Sequence, residues 1–210
     1  MSLPPRIIDR YGHKSFGGSQ MWIKDEMLKG SSCGVIAGLD SLMRLKGEEE
    51  FSREDYLNRV AEATEYIRPL IIGKNREKRK IFGKEFMGSL GVSAHRFKKG
   101  VKLLALKEGF KVRIKSFRFG WLKKIPEYLE KGDPLVMLFT APRTNVSVEE
   151  PSGYKTMCSY HWVTITGLEG DTLWVSSWGN KCKMSVKELK RFSVILHFYS
   201  ISMEKRDNIV

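Results

Sequence analysis

The sequence predicts an α+β domain, with helices in its first half and antiparallel strands in its second. Three observations predict it. Apolar residues recur at helical spacing as far as Gly109, the period drops to two from Phe110, and beyond that point turn residues separate short runs rich in Val, Ile, Thr and Trp. At 210 residues and 41% hydrophobic content, the chain is long enough to bury one substantial core.

Each element follows from local chemistry. Residues 1–19 are polar and glycine-rich, end in Phe16-Gly17-Gly18-Ser19, and read as an irregular arm. Gln20 to Ile23 reads as a short helical turn. The small-residue loop Gly30-Ser31-Ser32 then opens an amphipathic helix from Cys33 to Met43, with Ser31 or Ser32 as N-cap and Val35, Leu39, Leu42 and Met43 on one face. Ser52 caps a helix over residues 53–68 that Pro69 ends, striped by Tyr56, Val60, Ala63 and Ile67. Residues 73–80 are too polar to pack, and a third helix runs from Ser93 to Gly109 with Phe97, Val101, Leu104 and Ala105 inward.

Residues 111–115 alternate basic and β-branched side chains, the pattern of a strand with one wet face. Residues 121–131 read as a helix interrupted or restarted at Pro126, and Leu135-Val136-Met137-Leu138-Phe139 as a central strand. Between Ala141 and Tyr160 no period is clear, and a stretch of that length suggests a functional flap. Residues 161–167 and 172–179 form strands joined at Glu169-Gly170-Asp171, Ser185 caps a helical turn over 186–191, and residues 192–201 make the last strand. The expected organisation is a single domain: arm 1–19, mainly helical lobe 20–109, mainly β lobe 110–202 and charged tail 203–210.

The formal net charge of +13 is concentrated. From Lys74 to Lys124 there are 17 Lys and Arg against 3 Glu, so one basic region sits in an otherwise nearly neutral chain. Lys78, Arg79, Lys80, Lys98, Lys99 and Lys102 are its candidate anion-binding residues, facing an acidic protein or other anionic polymer, or else forming a solvated face. No nucleic-acid motif accompanies the charge. Residues 1–14 hold no apolar run long enough for a signal-peptide core and no stretch can span a bilayer, so a cytoplasmic location is expected. The three cysteines, Cys33, Cys158 and Cys182, show no CxxC spacing, which argues against a disulfide framework or a zinc site, and no metal or organic cofactor is implied.

Cys33 opens its helix where backbone N–H groups lack partners and the dipole is positive, an environment expected to lower a thiol below about 8.5 and make it nucleophilic. Of the four histidines, His161 heads a strand directly after the long loop, which makes it the candidate base. The order Gly-Ser-Ser-Cys-Gly, then His161-Trp162-Val163-Thr164-Ile165-Thr166-Gly167, then Ser176-Ser177-Trp178-Gly179, resembles the papain-like cysteine peptidase superfamily. Within it the spacing is most similar to the bacterial branch related to bacteriocin-processing leader peptidases. The resemblance implies a papain-like fold, Cys33 as nucleophile and His161 as base, acting on the amide or thioester carbonyl of a peptide or acyl substrate. Trp178-Gly179 matches the Trp-Gly that follows the orienting residue, and Trp162 and Trp178 would shape the cleft.

Two positions depart from the pattern. The orienting Asn or Asp is matched by Ser176, with Ser177 beside it and Asn180 as a further alternative; a hydroxyl can hold an imidazole but supplies no negative charge. The oxyanion glutamine is matched by Met27, and Gln20 can serve only if residues 22–30 fold back. The rival reading is a papain-like scaffold with impaired catalysis that binds an anionic partner through the basic region. A third reading makes Cys33 a redox-sensing thiol.

Overall fold

In chain order the first half of the computed structural model holds β1 (Arg6–Ile8), a 3₁₀ turn at Gln20–Trp22, α1 (Glu26–Lys29), α2 (Cys33–Leu45), β2 (Glu50–Ser52), α3 (Arg53–Tyr66), the short strands β3 (Ile71–Ile72), β4 (Arg79–Ile81), β5 (Lys84–Phe86) and β6 (Gly88–Ser89), and α4 (Ala94–Lys107). The second half holds β7 (Val112–Phe117), α5 (Trp121–Glu130), β8 (Leu135–Thr140), β9 (Val146–Glu149), β10 (Lys155–Cys158), β11 (Tyr160–Glu169), β12 (Thr172–Ser177), β13 (Asn180–Ser185), α6 (Val186–Phe192) and β14 (Ile195–Met203). The structure describes residues 3–72, 79–81, 84–86, 88–141, 145–193 and 195–204.

The α+β class expected from the sequence is the class observed. An eight-stranded sheet runs in the order β10-β9-β13-β12-β11-β8-β14-β7, and its paired strands are antiparallel. Side chains alternate across it, so Val136, Leu138, Trp162, Tyr199 and Ile201 meet the apolar stripes of α2, α3 and α4 on one face. Leu135, Met137, Phe139, Val163 and Ile165 meet α5 and α6 on the other. A central strand covered on both faces must be apolar throughout, which is why β8 shows no alternation in the sequence.

Helix α2 is buried along most of its length and packs directly on β11. Trp162 locks the two layers together: its ring stacks on Phe97 of α4 at 4.2 Å, and its Nε1 donates to the Val92 carbonyl at 2.7 Å. The helices approach one another just as closely. A Cβ on Gly100 would lie 2.5 Å from the Tyr66 carbonyl oxygen and 2.6 Å from the Ile67 Cα, backbone atoms that cannot rotate aside. Gly100→Ala is therefore expected to destabilise the protein by about 2 kcal/mol through forced separation of α3 and α4, read as a lower urea midpoint.

Several expectations are corrected. The arm is not irregular throughout, because β1 pairs in parallel with β2 and the Ser15 N–H donates to the Ile7 carbonyl at 3.0 Å. The expected flap between Ala141 and Tyr160 is not without regular structure: it contains the β9–β10 hairpin, which pairs at an edge of the large sheet. Its signal was the alternation of Val146 and Val148, both buried, diluted by polar neighbours. Helix α5 runs through Pro126 without a break. Ser32 is the N-cap of α2 by position, its carbonyl accepting from the Ile36 N–H at 2.9 Å, but neither serine side chain caps the helix: Ser31 Oγ donates to the Met27 carbonyl and Ser32 Oγ to the Leu28 carbonyl, each at 2.6 Å, closing α1 instead.

Candidate active site

Cys33 is the first residue of α2, and His161 is the second residue of β11, paired with Phe139 on β8. Because α2 lies on the sheet with its N-terminus over β11, these two side chains come to one cavity of about 20 Å³. Its walls also include Gln20, Asp40, Ser176, Ser177 and Trp178. A space of that size holds about one water molecule and no substrate. The site is closed in this structure, with Cys33 8% and His161 5% exposed.

The imidazole is held from two sides. Its Nε2 shares a 2.8 Å hydrogen bond with Ser177 Oγ, and its ring stacks on Trp178 with centroids 4.8 Å apart. Trp178 adopts φ 51°, followed by Gly179 at φ 80°, so the two form the tight turn that joins β12 to β13 and keep Ser177 opposite Asn180. A left-handed tryptophan costs about 1–2 kcal/mol, and here it places the indole flat against His161.

Of the two candidate serines, Ser177 reaches the imidazole. Ser176, favoured from the sequence, instead donates its hydroxyl to the Phe16 carbonyl at 2.7 Å, because alternate residues of a strand point to opposite sides. Asn180 Nδ2 donates to Glu150 Oε2 at 3.1 Å and makes no contact with His161 among those described. Gln20 does reach the cavity, since the 3₁₀ turn and α1 fold the intervening segment back beside α2. Trp162 is a core residue, 2% exposed, whose indole edge borders the cavity rather than an open cleft.

Charge inside the cavity is strongly disfavoured. Burial pushes the Cys33 thiol up to about 11, although the N–H groups of Trp162, Gly34 and Cys33 itself pull the other way. This reverses the expectation of a depressed value: three amide donors and a helix N-terminus do not replace lost water. Burial likewise holds His161 down to about 4. At rest both groups are neutral, and no hydrogen bond joins them among the described residues. Iodoacetamide alkylation of Cys33, followed by mass spectrometry, is accordingly expected to be slow at neutral pH and to climb toward pH 11, tenfold or more below an exposed thiol at pH 8. A plateau near pH 7 would show an ion pair in the resting protein.

No protein-family model matches the chain, and no curated protein matches it. Among solved structures there is a distant likeness. One structure, described as a candidate C39-like peptidase from Bacillus anthracis, aligns over 83% of this chain and 90% of its own at 12% identity, with a TM-score of 0.49. So distant a likeness assigns no residue here, and the site must be judged on its own geometry.

Cys158 and Cys182 are buried free thiols, pushed up to about 12 chiefly by burial. Lys99 lines a separate cavity of about 570 Å³ with Arg68, His95 and Arg96, between the end of α3 and the start of α4. Lys102 is exposed and Lys98 half-buried on the same helix. Lys78 lies outside the described residues, and Arg79 and Lys80 are described only as backbone of β4. Among the described residues no cluster of His, Cys, Asp and Glu could hold a metal ion, and no helix is long and apolar enough to cross a membrane. Sequence reasoning missed Asp40. It sits two helical turns beyond Cys33 on α2, and a lone aspartate within an apolar helical stretch was the available signal.

Proposed function

We propose that this chain is a single papain-like domain that works as a cysteine peptidase or acyl-transfer enzyme, with Cys33 as nucleophile and His161 as base. The observation that carries the reading is the shared cavity, which Cys33, His161 and Gln20 all line, while Ser177 occupies Nε2 of the imidazole so that Nδ1 is left for proton exchange. Cys33 Sγ attacks the amide or thioester carbonyl as its proton passes to His161. The oxyanion so formed is held by the Cys33 N–H and the Gln20 carboxamide. Collapse breaks the carbonyl bond to the leaving group, amine or thiolate, which takes the proton from His161 and leaves the imidazole neutral. Water, or another nucleophile, then gives its proton to His161 and attacks the thioester, releasing the acyl group and restoring the thiol.

The closed cavity requires its walls to part before a peptide can reach Sγ, and water admitted with the substrate eases ionisation of both groups. Single-turnover reaction with p-nitrophenyl acetate tests the proposal. An acetyl adduct on Cys33 by mass spectrometry, absent in Cys33→Ala and discharged with time, supports it; nitrophenol release equal in the two proteins overturns it.

A second reading is favoured by the cavity that Arg68, Arg96 and Lys99 line together with Glu65, which shares no lining residue with the Cys33 cavity. It makes the chain a binding module for an acidic protein. Binding that weakens steeply with salt and is unchanged in Cys33→Ala, with no acyl adduct in wild type, would select it.

A further inference from the structure

Asp40 is a buried carboxylate, 2% exposed, on the same face of α2 as Cys33, and both line the cavity. Its partners are neutral donors. Tyr56 Oη on α3 donates to Oδ1 at 2.7 Å, and the Gly18 N–H donates to Oδ2 at 2.9 Å. A buried carboxylate without a cation is costly, and stability alone would be served as well by a neutral or apolar side chain of that shape.

What this carboxylate holds is the segment leading into Gln20. The Phe16 N–H donates to the Gly179 carbonyl at 2.7 Å, Ser176 Oγ donates to the Phe16 carbonyl at 2.7 Å, and the Gly18 N–H reaches Asp40. The first two bonds tie the segment to the strand side of the cavity, whereas the third ties it to the helix that carries Cys33. Gly18 is packed so tightly that a Cβ would lie 1.8 Å from Tyr56 Oη, so only a glycine lets the backbone pass this close to Asp40 and Tyr56. Two residues later the chain presents Gln20 to the cavity.

We infer that Asp40 is a positioning residue which, through Gly18 and Tyr56, sets the place of the Gln20 carboxamide relative to the Cys33 thiol. The inference rests on the acyl-transfer reading above. It concerns one wall of the site, the one that would stabilise the oxyanion.

Two reagents separate this role from a purely structural one. Acylation by p-nitrophenyl acetate passes through an oxyanion, whereas displacement of iodide from iodoacetamide does not. Asp40→Asn is expected to slow acylation of Cys33 at least about tenfold while alkylation stays within about twofold of wild type. Gln20→Ala should reproduce the acylation loss, and the double variant should be no slower than Gln20→Ala, because both changes remove one function. Tyr56→Phe, which keeps the carboxylate and removes one donor, should show a smaller loss of the same selectivity and serves if Asp40→Asn fails to fold. Equal loss with both reagents, or losses that multiply in the double variant, would overturn the inference while leaving the acyl-transfer reading intact. Absence of acylation in wild type would remove both.

Discussion

His161→Ala is expected to slow acylation of Cys33 by p-nitrophenyl acetate about 10³-fold at pH 7, a loss of about 4 kcal/mol of transition-state stabilisation. The thiol is pushed up to about 11, so at pH 7 only about one in 10⁴ is ionised when nothing takes its proton. With the imidazole in place the proton leaves as the S–C bond forms, and that scarcity ceases to limit the rate. The pH profile carries the sign. Wild type should level off once His161 is neutral, whereas the variant should rise about tenfold for each pH unit until the thiol itself ionises near 11, so the gap narrows in alkali. Equal rates for the two proteins across pH 6 to 9 would rule out His161 as the base. Ser177→Ala should cost far less, because Trp178 still stacks on the ring and a serine contributes orientation without charge.

The second large effect is on stability, and it has opposite signs in two variants. His161 is held down to about 4 from an ordinary 6.5, so the unfolded chain binds its proton more readily. Stability from this group is fully present above pH 6.5 and is lost as pH falls toward 4. Asp40 is pushed up to about 6 from 3.8 by burial, against the pull of the Gly18 N–H and the Tyr56 hydroxyl, so the folded chain binds its proton more readily. Stability from Asp40 is fully present below 3.8 and is lost as pH rises through 6. The two slopes oppose each other over the same window. Measured against wild type by urea unfolding from pH 4 to 6.5, Asp40→Asn should gain about 3 kcal/mol and His161→Ala should lose about 3 kcal/mol. Parallel curves for all three proteins would show that neither group is desolvated as the cavity requires.

The elements that could be read from the chain are those whose signal is local and periodic. Helices α2, α3 and α4 declare themselves through stripes such as Val35, Leu39 and Leu42, and Ser52 and Ser93 do cap α3 and α4 as their positions imply. Strands β8, β11 and β12 follow from apolar and β-branched runs between turns. The hairpin β9–β10 and strand β13 were missed because they sit where polar residues outnumber the buried ones, at Val146, Val148, Cys182 and Met184. Pairing partners, not composition, make those segments strands. The Ser31 and Ser32 hydroxyls show the same limit, since a serine before a helix can accept from it or donate backward, and here the backward carbonyls of α1 were nearer.

By itself the sequence determined the α+β class, the order of a cysteine at a helix start and a histidine at a strand start, and the absence of any cysteine spacing suited to zinc. These depend on covalent order and short-range periodicity, which the chain carries openly. Tertiary structure alone decided that Ser177 rather than Ser176 meets His161, that Gln20 reaches the cavity across an intervening helix, and that Asp40 shares it. It also reversed the expected ionisation of Cys33. A helix N-terminus lowers a thiol only while water remains to share the charge, and whether water remains is settled by the packing of α2 on β11, a contact between residues more than a hundred positions apart.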